Sequence, residues 1–159
     1  MAAVFKQKVV FVIGAGASRE YNFPLGSELK VQIADAMRFQ FDYGGHLVSG
    51  SPELFDHVRR HLDGNKAQVE KYRRSAISLA GAIASFISID EALHFVSGTP
   101  EAVEVGKIAI IDQILKAEGN STLSFNTKTG RPSELAPGWI GEMFSMAVAG
   151  VQRKDLGFF

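Results

Sequence analysis

A short apolar segment followed at once by a glycine-rich turn is the feature that most constrains the fold of this chain. Residues 9–13 are β-branched or aromatic, and Gly14-Ala15-Gly16-Ala17-Ser18 follows them directly. Because the segment is too short for a helix and apolar on both faces, it predicts a central strand of a parallel sheet. Glycines permit a tight turn after such a strand, and backbone amides left bare there can bind a phosphate. The pattern predicts an α/β fold with a nucleotide site at this turn.

The turn departs from the complete dinucleotide-binding fingerprint. Arg19 occupies the place of the third glycine, and no second strand ending in a ribose-binding acid follows soon. A standard dehydrogenase is therefore disfavoured. Two alternatives remain open at this point: a tight strand-to-helix connection without a ligand, and an oxidoreductase that uses FAD or NADP.

Two patches of sequence resemble the sirtuin-like domains of bacterial anti-phage proteins. The first is Gly14-Ala15-Gly16-Ala17-Ser18 followed by Phe23-Pro24-Leu25-Gly26, which is similar to that group's Gly-Ala-Gly-x-Ser turn and its apolar-Pro pair. The second joins Ser88-Ile89-Asp90-Glu91-Ala92-Leu93 with Glu104-Val105-Gly106-Lys107-Ile108-Ala109-Ile110. The first patch is the specific one, and together they reach to about Leu115.

This resemblance implies a Rossmann-like parallel sheet, of which only the first strand is clear. The helical patterns of the chain predict a mostly helical subdomain inserted at about 42–118, and the polar segment after it predicts a loop at about 119–136. The resemblance also implies an NAD-binding domain that cleaves the nicotinamide–ribose bond, with NAD as the ligand and no metal. The residues expected to bind the NAD diphosphate through backbone amides are Gly14, Ala15, Gly16, Ala17 and Ser18. Those expected to wall the ribose–nicotinamide side are Phe23, Pro24 and Leu25. Asp90 is a weaker candidate, for orienting a ribose hydroxyl or a water molecule.

The catalytic segments of that family are not recognisable here. The family uses an asparagine in a strand-end segment of the Asn-Tyr-Asp kind and a downstream histidine, whereas Asn126 has no apolar strand before it and no Tyr-Asp after it. The resemblance thus implies that these residues are the N-terminal part of a longer protein. Its expected partners are further domains of that protein or other copies of the same chain in a homo-oligomer. Since a phosphate-binding turn alone cannot stabilise an oxocarbenium-like transition state, residues 1–159 are expected to lack NAD hydrolase activity by themselves. The alternative is a non-catalytic nucleotide-sensing or oligomerisation module.

Composition narrows the class of protein. The 159 residues are 46% hydrophobic, carry a formal net charge of zero and include no cysteine. One domain with a sizeable core is therefore expected, and nucleic acid is a weak candidate partner, although six basic residues lie between positions 59 and 74. Without cysteines the chain cannot form the zinc ribbon of deacetylating sirtuins. We expect a cytoplasmic protein that does not enter the membrane, the alternative being a secretory signal that ends near Ser18.

The remainder of the chain predicts helices with clear start signals. Ser27 is expected to cap a helix over 28–41, Pro52 to open a second and Lys66 to begin a long third helix to about Ile87. Ser88 and Glu91 predict a capping box, and Thr99-Pro100-Glu101 predicts a further start. The apolar face expected for that last helix consists of Val105, Ile108, Ile111, Ile114 and Leu115. A polar surface loop over 118–137 and a helix over 139–151 follow.

One pair of histidines resembles metal ligands in its spacing. His57 and His61 lie four residues apart on a predicted helix, with Asp56 adjacent. Because no third ligand follows at a recognisable spacing, a solvated helix face is the preferred interpretation.

Overall fold

A computed structural model describes residues 14–121, 125–126, 131–132 and 138–141 of the chain. A 3-10 helix, Ala15–Tyr21, comes first, and five α-helices follow: α1 (Gly26–Ala36), α2 (Pro52–His61), α3 (Lys66–Ile83), α4 (Ile89–Phe95) and α5 (Pro100–Gly119). The strands are β1 (Gln40–Phe41), β2 (Leu47–Ser49), β3 (Phe125–Asn126) and β4 (Arg131–Pro132). The chain divides into two compact units, one of residues 24–117 and one of residues 1–23 with 118–159.

The unit of residues 24–117 is a helical domain with one small hairpin. Its helix α3 packs against α1, α2 and α4, and β1 pairs antiparallel with β2. The side chains that are almost completely buried include Phe39, Ile33, Met37, Leu54, Leu79, Ile83, Val58 and Val105. Leu29, Phe55 and Leu62 pack against this core from its margin. Leu29 and Ile33 therefore form the core-facing side of α1, and Leu54, Phe55 and Val58 that of α2.

Three of the predicted helix starts are confirmed by their capping bonds. The Leu54 amide donates to Ser51 Oγ at 3.2 Å with Pro52 at the first helical position, and the Gln68 amide donates to Asn65 Oδ1 at 3.2 Å. At α4 the Glu91 amide donates to Ser88 Oγ at 3.1 Å, while the Glu91 carboxylate accepts from the Ile87 amide rather than from that of Ser88. Each bond satisfies an amide that has no acceptor within its helix.

The first helix differs from its prediction at both ends. Ser27 lies inside α1, whose N-cap is Leu25, and the helix ends at Ala36 rather than Phe41. The Ala36 carbonyl accepts from the Ser51 amide at 2.9 Å, in place of the residue 40 amide that a continued helix would supply. Gln40 instead pairs with Ser49 across the hairpin. The tertiary hydrogen bond therefore ends the helix, and a turn at Asp42–His46 connects the two strands.

The long helix α3 is four residues shorter than predicted. After Ile83 the chain tightens, since the Phe86 amide donates to the Ile83 carbonyl, three residues back, at 3.2 Å. The Lys30 ammonium of α1 then donates a hydrogen bond to the Phe86 carbonyl at 2.7 Å. A side chain from another helix thus satisfies the backbone where the helix stops.

Helix α5 buries only part of the apolar face predicted for it: Val105 is fully buried and Ile108 packs against the core, as expected, but the other three residues of that face are exposed. Its buried residues are Ala102, Val105, Gly106, Ala109 and Asp112, whereas Ile111, Ile114 and Leu115 are 57%, 43% and 57% exposed. A Cβ placed on Gly106 would lie 2.5 Å from Leu93 Cδ2 and 3.0 Å from Leu79 Cδ2. Small residues therefore permit α5 to approach α3 and α4 closely, and this packing outweighs the greater hydrophobicity of the isoleucine face.

The other unit differs from the predicted surface loop. Helix α5 continues to Gly119, and β3 pairs antiparallel with β4 inside the segment expected to be irregular. Residues 139–141 are helical at the expected start of the last helix, whose remainder lies outside the described residues. The predicted strand 9–13 also lies outside them. Within the described ranges both strand pairs are antiparallel, and most residues are helical. The parallel Rossmann-like sheet therefore stays a prediction.

Candidate functional site

The glycine-rich turn lies at the start of the 3-10 helix. Gly14 precedes it with extended backbone (φ −95°, ψ 171°), and the Ala17 amide donates to the Gly14 carbonyl at 3.0 Å. A 3-10 helix has no internal acceptor for the amides of its first two residues, here Ala15 and Gly16. Gly14 and Gly16 are exposed, and no described atom lies within 4 Å of a Cβ placed on either. The opening of the turn is therefore accessible to a ligand.

The far end of the 3-10 helix is closed by local hydrogen bonds. Asn22 adopts the left-handed conformation (φ 66°), and its amide donates to the Arg19 carbonyl at 3.1 Å. The Phe23 amide donates to the Ser18 carbonyl at 3.2 Å, so the chain reverses after one short helix. The Asn22 side-chain amide reaches the Asn120 carbonyl at 3.3 Å. These bonds stabilise the C-terminal end of the 3-10 helix.

Trp139 contacts the same helix, which sequence reasoning did not anticipate. Its indole Nε1 donates to the Ala17 carbonyl at 2.9 Å, and its ring packs edge-on against Tyr21 with centroids 6.5 Å apart. Glu20 accepts from the Trp139 amide at 3.2 Å, and the Tyr21 hydroxyl accepts from the Ile140 amide at 3.2 Å. The side chains of the 3-10 helix thus cap the helical turn that begins at 139. No short-range pattern in the sequence links positions more than a hundred residues apart.

The other predicted site residues belong to both units of the chain. Phe23 belongs to the unit of the turn, whereas Pro24, Leu25 and Asp90 belong to the helical unit. Asp90 is exposed, and the other three are half-buried. The Leu25 amide donates to Glu28 Oε2 at 2.8 Å, so it already has an acceptor. Asp90 is exposed in the first turn of α4, where a carboxylate interacts favourably with the helix N-terminus. The structure therefore supports a role of Asp90 in stabilising α4.

The two histidines of α2 pair with carboxylates of α5. His61 Nε2 lies 2.6 Å from Glu104 Oε1, and His57 Nδ1 lies 3.5 Å from Asp112 Oδ1. The Tyr72 hydroxyl of α3 also donates to Glu104. This bond and the neighbouring His61 lower the pKa of Glu104, and the same bond raises the pKa of Tyr72 to about 12. Within the described residues no cluster of three or more His, Asp or Glu side chains is placed to hold a metal ion.

A buried carboxylate organises a second polar cluster on α5. Asp112 is 4% exposed and accepts from Lys116 Nζ at 3.0 Å and from Gln113 Nε2 at 3.0 Å. Lys116 Nζ also donates to Ser51 Oγ at 2.9 Å. The Lys116 nitrogen lies between the carboxylates of Asp112 and Glu53, at 3.0 and 3.5 Å. The cluster therefore joins α2 to α5. The Asp-Lys spacing of four residues was its one visible signal.

The chain matches no protein-family model, and no curated protein or solved structure is significantly similar to it. Among the described residues, no helix combines the length and the hydropathy needed to span a bilayer.

Proposed function

We propose that residues 14–18 bind the diphosphate of NAD, in a cytoplasmic domain of the sirtuin-like, NAD-hydrolysing kind that acts in anti-phage defence. The observation that carries the proposal is the exposed start of the 3-10 helix, where Gly14 and Gly16 leave open space beside two amides without an intrahelical acceptor. Amides in this arrangement are suited to bind phosphoryl oxygens. The Rossmann-like sheet, with residues 9–13 as its first strand, belongs to the same proposal.

The proposal divides binding from chemistry. Cleavage of the nicotinamide–ribose bond needs a polar group positioned for the ribose and the attacking water, because positive charge develops at the sugar. In the family that the sequence resembles, an asparagine and a histidine do this work, and residues 1–159 contain neither segment in recognisable form. The turn is therefore assigned binding alone.

The test is an NMR titration of the ¹⁵N-labelled chain with NAD. We expect the largest saturable shifts at the Ala15 and Gly16 amides, because a phosphoryl oxygen would accept from them. Gly16→Val should weaken binding at least about tenfold, equivalent to about 1.4 kcal/mol, because its branched side chain would fill the space needed by the phosphate. Gly98→Val is the matched control, since Gly98 is likewise exposed and has open space around its Cβ position.

The outcomes separate the proposal from its alternative. NAD shifts that leave residues 14–18 unmoved, or equal affinity of the Gly16→Val and Gly98→Val proteins, would contradict the proposed site. NAD binding at the turn by a protein that never consumes NAD, even with any longer native chain included, would favour the non-catalytic nucleotide-sensing module. Consumption of NAD by residues 1–159 alone would refute the division of binding from chemistry.

A further inference from the structure

A second concave site lies within the helical unit, where α2 ends and α3 begins. The pocket has a volume of about 660 Å³. Phe41, Phe55 and Val69 form its apolar part. The rings of Phe41 and Phe55 pack edge-on with centroids 5.1 Å apart, and Phe55 packs in the same way on the fully buried Phe39 at 5.2 Å. The apolar wall is therefore anchored in the core, while Phe41 remains 37% exposed.

The polar side chains that line this pocket are predominantly basic. Four cations, Arg59, Arg60, Lys66 and Arg73, face two carboxylates, Asp63 and Glu70. Arg73 is paired, since it donates to both Glu70 oxygens at 2.7 and 2.8 Å, and Arg59 lies 3.1 Å from Asp56. Within the described part of the chain, no carboxylate lies within 4.0 Å of the side-chain nitrogens of Arg60 or Lys66. Two cations at the pocket thus lack an acidic partner there.

The turn between the helices sets the positions of those two cations. The Gly64 amide donates to the Arg59 carbonyl at 2.9 Å, and the Asp63 amide donates to the Arg60 carbonyl at 3.1 Å, which closes α2 with a Schellman motif. Asp63 and Gly64 both adopt positive φ (50° and 70°), so the chain reverses within three residues and α3 starts at Lys66. Arg60 therefore precedes the reversal and Lys66 follows it, both at the one pocket.

We propose that this pocket binds a small organic anion that joins a phosphate to a flat ring, the chemistry of a mononucleotide. The exposed face of Phe41 offers a surface for stacking, and Arg60 and Lys66 offer charge to the phosphate. Charge complementarity decides the class of ligand, because four cations against two carboxylates oppose a cationic ligand. An aliphatic ligand without charge would leave Lys66 and Arg60, whose Nε donates to the Asp56 carbonyl at 3.3 Å, without an ionic partner. The site is separate from the turn at Gly14 and does not depend on its proposed function.

The experiment is a titration of the ¹⁵N-labelled full chain with AMP, followed by amide shifts over residues 59–73. We expect saturable shifts in that segment, and clearly weaker binding of adenosine and of inorganic phosphate, since each carries half of the recognised chemistry. The Gly16→Val protein must bind AMP with unchanged affinity in this segment, which distinguishes the pocket from the turn.

Substitutions then test the named contacts. Arg60→Gln and Lys66→Gln should each weaken AMP binding about two- to fivefold, as is typical of exposed charge pairs, and the double variant about tenfold. Phe41→Ala should weaken it about fivefold or more if the base stacks on the ring. Lys107→Gln is the matched control, because Lys107 is an exposed lysine of α5 that does not line the pocket.

Three results would overturn the proposal. The first is AMP shifts that map outside residues 59–73 or do not saturate. The second is equal AMP affinity of the Arg60→Gln/Lys66→Gln and Lys107→Gln proteins. The third is binding of a single-stranded oligonucleotide orders of magnitude tighter than AMP, which would replace the small ligand by a nucleic-acid strand. Circular dichroism of each variant verifies that the helices are intact.

Discussion

Replacing Gly50 with alanine should destabilise the helical unit more than any other single methyl addition at a turn. Gly50 follows β2 with φ at 91°, a conformation that costs an L-residue about 1–2 kcal/mol. Its new Cβ would lie 2.9 Å from Phe39 Cδ1 and 3.2 Å from both the Ala36 carbonyl oxygen and the Arg38 carbonyl carbon. Two of these atoms belong to the backbone and the third to a fully buried ring, so no side-chain rotation can readily relieve the clash with the new Cβ. Overpacking of this kind costs about 1–3 kcal/mol.

The two costs can be measured separately with two further glycines. Gly45 has φ at 80° but open space around its Cβ position, so Gly45→Ala carries the backbone strain alone. Gly98 has open space and no positive φ, so Gly98→Ala should be neutral or stabilise by about 0.4–1 kcal/mol through the unfolded chain. After the same entropic offset, we expect a loss of about 0–1.6 kcal/mol for Gly45→Ala, and a loss for Gly50→Ala that is larger by about 1–3 kcal/mol.

The assay is urea unfolding at pH 7, followed by circular dichroism, with the change in free energy taken at equal m-value. Equal destabilisation by Gly50→Ala and Gly45→Ala would refute the reasoning, because it would mean that the contacts with Phe39 and with the end of α1 cost nothing. A Gly50→Ala protein that does not fold, beside a folded Gly45→Ala protein, would support the reasoning.

Three further predictions concern caps and charge. Ser88→Ala should cost about 1 kcal/mol in urea unfolding, since the Glu91 amide would lose its acceptor, and an unchanged midpoint would contradict the capping role. Asp63→Gly should instead stabilise by about 0.5–1 kcal/mol, because it removes both a positive-φ side chain and a carboxylate from the C-terminal end of α2, and Asp63→Asn isolates the charge. Because the pKa of Glu104 is lowered, this group stabilises the fold at pH values above its ordinary pKa of 4.5, and that stability is lost as the pH falls. Because the pKa of Tyr72 is raised, this group stabilises the fold below its ordinary pKa of 10, and that stability is lost as the pH rises towards about 12. Tyr72→Phe should therefore cost about 0.5–1.5 kcal/mol at pH 7 and flatten both limbs of the stability–pH curve, and identical curves for the two proteins would contradict the assigned bond.

The candidate site illustrates how far local patterns reach. The glycine spacing predicted a turn leading into helical backbone at residues 14–18, because glycine and alanine there permit that geometry without help from distant residues. The contacts of Trp139 with Ala17 and Glu20 were not predictable, since residues so far apart in sequence leave no periodic signal. The pocket beside Phe41 was likewise not predictable. The sequence shows the basic residues between 59 and 74, but not which of them form ion pairs with carboxylates.

The amino-acid sequence by itself determined where most helices begin, because a cap such as Ser51, Asn65 or Ser88 acts on an amide three residues away. The four-residue spacing of Leu29 with Ile33 and of Leu54 with Val58 likewise marks the core-facing sides of α1 and α2 in the sequence alone. Only the tertiary structure decided where α1 ends and which face α5 buries. The first depends on the Ser51 amide reaching Ala36, and the second on how closely Gly106 permits two other helices to approach. The physical reason is range: caps and periodicity act within one or two turns of a helix, whereas packing and long-range hydrogen bonds depend on segments that meet only in the folded chain.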